Sequence, residues 1–349
     1  MKIAILFCIL ALIIGCSQEG KIKVGIILPL TGNFAQYGQE AKDGIMLAIE
    51  ELKTIRIQAI YEDSKAEAKE GVNAFIKLVE VDGVKAVVTG TSQISLAVSN
   101  RANQEHILQI AIFTSTPDYT SANDYTFRMS PLVGEEIKVL GQKLINHKVG
   151  VIYLRNEWGR GAHEALREQL KNIIISESFD QNNEGDFRTQ LTKIKAKEPS
   201  ALVVIAEARS AGAIIKQARE LGLNVSLYGL RGLQSKEIQD IAGKLTEGLV
   251  FTYPLDEESP HAMQFTQAFR KRLGYVPTAY AAEGYEAMKL LLEQVQVCGK
   301  NTDCMRDNLL QMNNKTSVFG SLSFDMYGNV DYPFILKTVR NGEFVSLRT

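Results

Sequence analysis

Ile22-Lys23-Val24-Gly25-Ile26-Ile27-Leu28-Pro29-Leu30 runs directly into Thr31-Gly32-Asn33-Phe34-Ala35-Gln36-Tyr37-Gly38. The first stretch is a short, nearly continuous apolar run ended by proline, which reads as a strand buried on both faces. The second is a loop of small, hydroxyl-bearing and aromatic residues. Past it, Ala41, Ile45, Ala48 and Leu52 recur at helical spacing and predict an amphipathic helix over 38–53. A buried strand, a polar loop and a helix make up the first half of a βαβ unit.

The same rhythm continues outward. Strands are predicted at 55–61, 84–89 and 107–113, with helices over 66–81 and from Ile94 between them. It then restarts, with helices at 134–146, 160–171, 186–197 and 211–221 and strands at 149–154, 173–179, 202–206, 226–228 and 249–253. Two further helices follow at 260–273 and 278–296. The chain closes on a hairpin, 334–339 and 343–347, around the Asn341-Gly342 turn. Strand–helix alternation of this kind gives α/β units with parallel sheets covered on both faces. Two such units in series predict two Rossmann-like lobes with a cleft between them, and ligands in open α/β sheets sit at the carboxyl ends of the strands.

The N-terminus speaks to compartment. Lys2 precedes an apolar run from Ile3 to Ile14 that is too short to span a bilayer, followed by Gly15-Cys16-Ser17. The expectation is a lipoprotein signal peptide over residues 1–15, diacylation of Cys16 and a tether over 16–20, with the folded part starting near Lys21. Two or three acyl chains hold a protein at a membrane stably. The remaining pair, Cys298 and Cys304, is expected to form a local disulfide in an oxidising compartment. A net charge of −1 gives no support to nucleic-acid binding. The four histidines, His106, His147, His163 and His261, have no ligand spacing, so no metal is expected. No dinucleotide fingerprint, phosphate loop or nucleophile elbow is present, so an enzyme reading finds no catalytic set and no cofactor.

What the strand-to-helix loops do carry is hydroxyls and aromatics: Gly90-Thr91-Ser92-Gln93, Thr114-Ser115-Thr116-Pro117 and Asn156-Glu157-Trp158-Gly159. Hydroxyls and backbone N–H groups at helix amino ends make a carboxylate site. Taken singly, each loop is equally an ordinary helix cap.

Ile26 through Gly38, running on to Asp43-Gly44, resembles the opening of the leucine/isoleucine/valine-binding protein family, the type I periplasmic binding proteins of branched-chain amino acid ABC importers. Val81-Asp82-Gly83-Val84-Lys85-Ala86-Val87-Val88, Asp186 through Lys195 and Tyr280-Ala281-Ala282-Glu283-Gly284-Tyr285 resemble further family stretches in family order. The resemblance implies two discontinuous lobes, residues 21–131 with 255–325 and residues 132–254 with 326–349, crossing near 130–133, 253–255 and 324–327. It also implies an extracytoplasmic binding protein, monomeric, that captures an amino acid or related small carboxylate and delivers it to an ABC permease. The alternative is a sensor that presents the same ligand to a receptor. Residue by residue, it assigns the ligand carboxylate to Ser92, the α-carboxylate and α-ammonium to Thr114 and Ser115, and contact with the ligand side chain to Tyr37. It also sets Trp158 at a tyrosine position in the second lobe, with core packing of Tyr37 and Trp158 as the other reading. Arg231 stands where amino-acid binders place an acid, and Glu207 where they place a tyrosine. Either Glu207 takes the ammonium and Arg231 meets a second anionic group, or the two pair with each other at the rim.

Overall fold

The computed structural model describes residues 21–52, 57–180 and 185–347. The expected signal peptide, the Cys16 lipidation site and the tether lie outside the described residues. Strands β1 (Ile22–Leu28), β2 (Ile57–Asp63), β3 (Ala86–Gly90), β4 (Leu108–Ile112) and β5 (Thr126–Arg128) form a wholly parallel sheet in the order β2-β1-β3-β4-β5. Helices α1 (Ala35–Glu51), α2 (Ala68–Ile76) and α3 (Ser92–Gln104) connect them. All five residues of β3 and of β4 are buried, as continuous apolar runs between two helical layers require.

The second lobe begins with α4 (Val133–Leu144) and alternates β6 (Val149–Leu154), α5 (Glu157–Gln169), β7 (Ile173–Phe179), α6 (Arg188–Lys195), β8 (Ala201–Ile205), α7 (Ala208–Glu220), β9 (Ser226–Gly229), α8 (Lys236–Ala242) and β10 (Val250–Tyr253). The chain then returns to the first lobe as α9 (Pro260–Leu273), α10 (Ala279–Cys298), α11 (Thr302–Leu310) and the small hairpin β11 (Lys315–Ser317) and β12 (Gly320–Leu322). It ends as β13 (Ile335–Arg340) and β14 (Glu343–Ser346), which extend the second sheet to β14-β13-β10-β9-β8-β6-β7. Asn341 and Gly342 both have positive φ, 54° and 77°, as a type I′ turn demands. Cys298 and Cys304 are bonded, tying the end of α10 to α11.

The chain passes between the lobes first between β5 and α4 and again between β10 and α9. The third crossing comes later than 324–327. Phe324 still bridges Val330, and Gly328 O accepts the N–H of Arg128 on the first-lobe side at 3.0 Å. The polar run Asp325-Met326-Tyr327-Gly328-Asn329 is a tight turn, with Asp325 Oδ1 accepting the N–H groups of Tyr327 and Asn329. Gly328 sits at φ +78°, and a Cβ there would strike Thr126 O. The crossing therefore occupies the stretch between Val330 and β13.

Helix α10 is what makes the first lobe discontinuous. It lies on α1 with backbone-to-backbone contact at Gly44 and Gly284, where a Cβ would run into the carbonyls of Ala281 and Ala41 respectively. Overpacking so close a crossing forces both helices apart. Gly44→Ala is expected to lower unfolding stability by about 1–3 kcal/mol, read as an earlier midpoint in a urea melt; an unchanged midpoint would show that α10 shifts freely on α1.

Candidate ligand-binding cleft

The carboxyl ends of both sheets face one another, and helix amino ends from both lobes converge between them. From the first lobe, β3 delivers Thr91, Ser92 and Gln93 to the opening turn of α3, where the first N–H groups have no intrahelical acceptor. Thr91 holds φ +76°, a costly conformation for a β-branched residue, and its Oγ1 is buried without a hydrogen-bond partner. Ser92 Oγ accepts the N–H of Ser115 at 3.3 Å, which brings the loop after β4 against the end of α3.

That loop alternates. Phe113 (φ +56°) and Ser115 line the cavity, whereas Thr114 does not: its Oγ1 lies 2.8 Å from Ser95 Oγ and 3.1 Å from Ile112 O, in the polar network beneath α3. Of the two adjacent hydroxyls, Ser115 faces the cavity and Thr114 faces the network beneath it.

The walls are aromatic. Tyr37 stacks on Tyr280 with centroids 4.4 Å apart, Phe34 stands edge-on to Tyr37 and Phe113 edge-on to Tyr280, while Trp158 enters from the second lobe on the first turn of α5. Phe34, Phe113 and Tyr280 were not among the residues singled out from sequence. Phe34 sits in the quoted loop, one helical turn before Tyr37, but nothing in the sequence separates it from a core aromatic.

From the second lobe, Glu207 caps α7, its Oε1 accepting the Ser210 N–H at 3.0 Å and the Ser210 hydroxyl. Burial raises its carboxyl above the ordinary range; the Ser210 hydrogen bonds pull the other way. The next residue, Ala208, donates its N–H to Tyr37 Oη at 2.6 Å, so Tyr37 spans the cleft. Burial pushes the Tyr37 phenol up as well.

Glu207 and Arg231 line the same cavity but do not pair, and neither is at a rim: they are 4% and 5% exposed. Arg231 instead donates its backbone N–H to Glu136 Oε1 at 2.8 Å and its Nε and Nη2 to Glu136 Oε2, both at 3.0 Å. Its Nη1 reaches Glu283 Oε1 at 3.4 Å. The guanidinium also covers the Phe334 ring. Their carboxylates outweigh burial and hold Arg231 above its usual range. The sequence reading missed this arrangement because α4, α10 and the Arg231 loop are far apart in the chain.

Among the described residues the contacts that join the lobes beside the cavity include Ala208 to Tyr37, Arg231 to Glu283, Ser235 Oγ to Gln36 Oε1 at 3.2 Å and the Ala279 N–H to Tyr253 Oη at 2.7 Å. The space between the lobes measures ≈ 60 Å³. One water needs roughly 10–15 Å³ on that scale, so the cleft suits a ligand of single-amino-acid size.

The Periplasmic binding protein family matches this sequence over residues 21–336. The chain belongs to that family. This periplasmic binding protein is 26% identical over 355 residues to the Leu/Ile/Val-binding protein homolog 2 of Brucella abortus (strain 2308), covering 96% of this chain and 95% of the relative. Its fold is similar to that of the branched-chain amino acid transporter substrate binding protein LivJ from Streptococcus pneumoniae in complex with isoleucine, with a TM-score of 0.84 and 25% identity over 94% of this chain and 100% of the other. A solute binding protein of an R. palustris ABC transporter in complex with benzoate shares the fold, with a TM-score of 0.85 and 19% identity over 94% and 96% of the two chains. The periplasmic binding protein thus works outside the cytoplasm and captures a small solute between its lobes. Among the described residues no helix is long and apolar enough to cross a membrane, and no cluster of three or more His, Cys, Asp or Glu could hold a metal ion.

The Glu207 carboxyl supplies a test in the ligand-free protein. A carboxyl whose folded pKa is raised favours folding at low pH and opposes it as pH rises above the unfolded value, about 4.3. Glu207→Gln keeps an oxygen for the α7 cap, so the variant is expected to melt higher than the parent at pH 7. The gain should vanish below about pH 4. Thermal melts across that range would show a pH-independent difference if burial of the charge were not the cause.

Proposed function

We propose that this periplasmic binding protein captures an α-amino acid with an apolar or aromatic side chain. Its carboxylate rests on the amino end of α3 with Thr91, Ser92 and Ser115, and its ammonium on Glu207. The observation that carries the reading is the pairing of these two charged ends in one aromatic-walled cavity: a helix amino end with an unpartnered Thr91 hydroxyl from one lobe, and a buried carboxylate from the other. Helix amino ends favour anions, and a carboxylate hydrogen-bonded to a cation contributes about 1.5–3 kcal/mol. Tyr37, Trp158, Phe34, Phe113 and Tyr280 enclose the side chain. The similarity to Leu/Ile/Val-binding proteins and to an isoleucine complex supports a branched-chain ligand. Arg231 is held by two carboxylates, so it makes no direct claim on the ligand.

Closure around the ligand presents both lobes to an ABC permease, which imports it. The protein acts as a monomer, held at the membrane by lipid on Cys16. It is a binding protein without catalytic activity of its own. Isothermal titration with leucine, isoleucine, valine, phenylalanine and benzoate tests the ligand. The amino acids are expected to bind, and Ser92→Ala to weaken them by about tenfold or more, the equivalent of one charge-assisted hydrogen bond. Benzoate binding with no amino acid bound, or full affinity in the Ser92 variant, would discard this assignment of the two ends.

A further inference from the structure

Arg231 lines the ligand cavity, yet its side chain is engaged by protein carboxylates. Glu136 on α4 takes its backbone N–H, Nε and Nη2, and Glu283 on α10, from the opposite lobe, takes Nη1. All three groups are buried, Glu136 and Glu283 completely. Two carboxylates face one guanidinium, so the cluster presents no net positive charge to the cleft. Burying three ionisable groups is costly, and an apolar side chain of similar volume would fill the space at no such cost. A guanidinium in a dry, aromatic-walled cavity is also the side chain best suited to grip a carboxylate bidentately. Left alone, Arg231 would make this a site for ligands with two anionic groups.

Glu283 is fixed from other directions as well. Its Oε2 accepts the N–H of Phe113 at 2.7 Å and the hydroxyl of Ser130 at 2.6 Å. It is therefore a preset wall of the first lobe against which Arg231 lands when the lobes meet. Among the described residues that line the cavity, the charged ones are Arg231 and Glu207.

We propose that Glu283, with Glu136, is a specificity-determining residue: by occupying Arg231 it keeps the guanidinium from reading a second anionic group, so the cleft takes a ligand with one carboxylate and rejects acidic amino acids. This is rejection by an added like charge rather than by a missing contact. It rests on the reading that the amino end of α3 holds the first carboxylate.

The test is calorimetric titration of the purified protein and its Glu283→Gln variant with L-glutamate and L-leucine. Releasing the Arg231 guanidinium from Glu283 is expected to tighten glutamate binding relative to leucine by about tenfold or more; if leucine binds neither protein, the glutamate constant is compared directly. Adding Arg231→Met to Glu283→Gln is expected to abolish the gain. Unchanged or weaker glutamate binding in a variant that melts near the parent overturns the proposal, and so does a gain that survives loss of Arg231. Should Glu283→Gln fail to fold, the same comparison in Glu136→Gln decides. Ser92→Ala in the parent reports separately on the first carboxylate. Loss of leucine binding there, with no glutamate gain in Glu283→Gln, rejects the gatekeeping role and leaves the site assignment standing.

Discussion

One guanidinium holds the two lobes and the cleft to a common geometry. Arg231 sits between Glu136 and Glu283, and these two carboxylates collect a contact from every crossing of the chain between lobes. Ser130 on the first crossing donates to Glu283, Thr252 at the end of β10 donates to Glu136 at 2.7 Å, and the Tyr332 hydroxyl on the third crossing lies 3.4 Å from Glu283 while donating to Met129 O. Removing one partner of such a buried set leaves a charge without compensation, typically a loss of 3–5 kcal/mol. The hinge of this protein is thus an electrostatic junction as much as a set of connecting strands. Within this cluster the Nη1–Glu283 contact runs from one lobe to the other, so opening breaks it together with the Ala208–Tyr37 and Ser235–Gln36 contacts.

The same junction reaches the ligand site through the backbone. Glu283 holds the N–H of Phe113, a residue at positive φ whose ring forms a cavity wall. Thr91 and Ala66, which also line the cavity, share that left-handed conformation, at φ +76° and +58°. Non-glycine residues persist there only when their surroundings over-determine them. Among the described residues three of the nine non-glycine residues at positive φ, Ala66, Thr91 and Phe113, line the cleft. Solute capture thus has a physical basis in walls fixed by the protein's own contacts: N–H groups, a hydroxyl and a carboxylate are held at the cavity by the surrounding structure.

Much of the fold was legible because burial writes a periodic signal. The continuous apolar runs of β1, β3, β4, β6 and β8 and the stripes of α1, α4 and α9 are set by local spacing, and α9 begins and ends where that spacing says. Elements without such a signal escaped: β5 and the β11–β12 hairpin are three-residue strands, and α8 and α11 are seven and nine residues long. Helices α1, α3, α5 and α7 begin two to three residues before the predicted starts, because their opening turns carry loop-like polar and aromatic residues such as Ser92 and Trp158, which line the cleft, ahead of the first apolar-periodic position.

By itself the sequence determined that this is a two-lobed α/β protein with hydroxyl-bearing helix starts at its strand ends. It also determined that Tyr37, Ser92, Ser115, Trp158, Glu207 and Arg231 stand at such ends, since each follows from local pattern or from family resemblance. Only the tertiary structure decided that Ser115 and not Thr114 faces the cavity, that Tyr280 and Phe113 complete its walls, and that Arg231 answers to Glu136 and Glu283 rather than to Glu207. Those outcomes depend on pairings across 52 and 95 positions of chain, and on which side of a short extended loop a hydroxyl emerges. Periodicity carries no information about either, because charge partners are chosen by the packing of whole lobes.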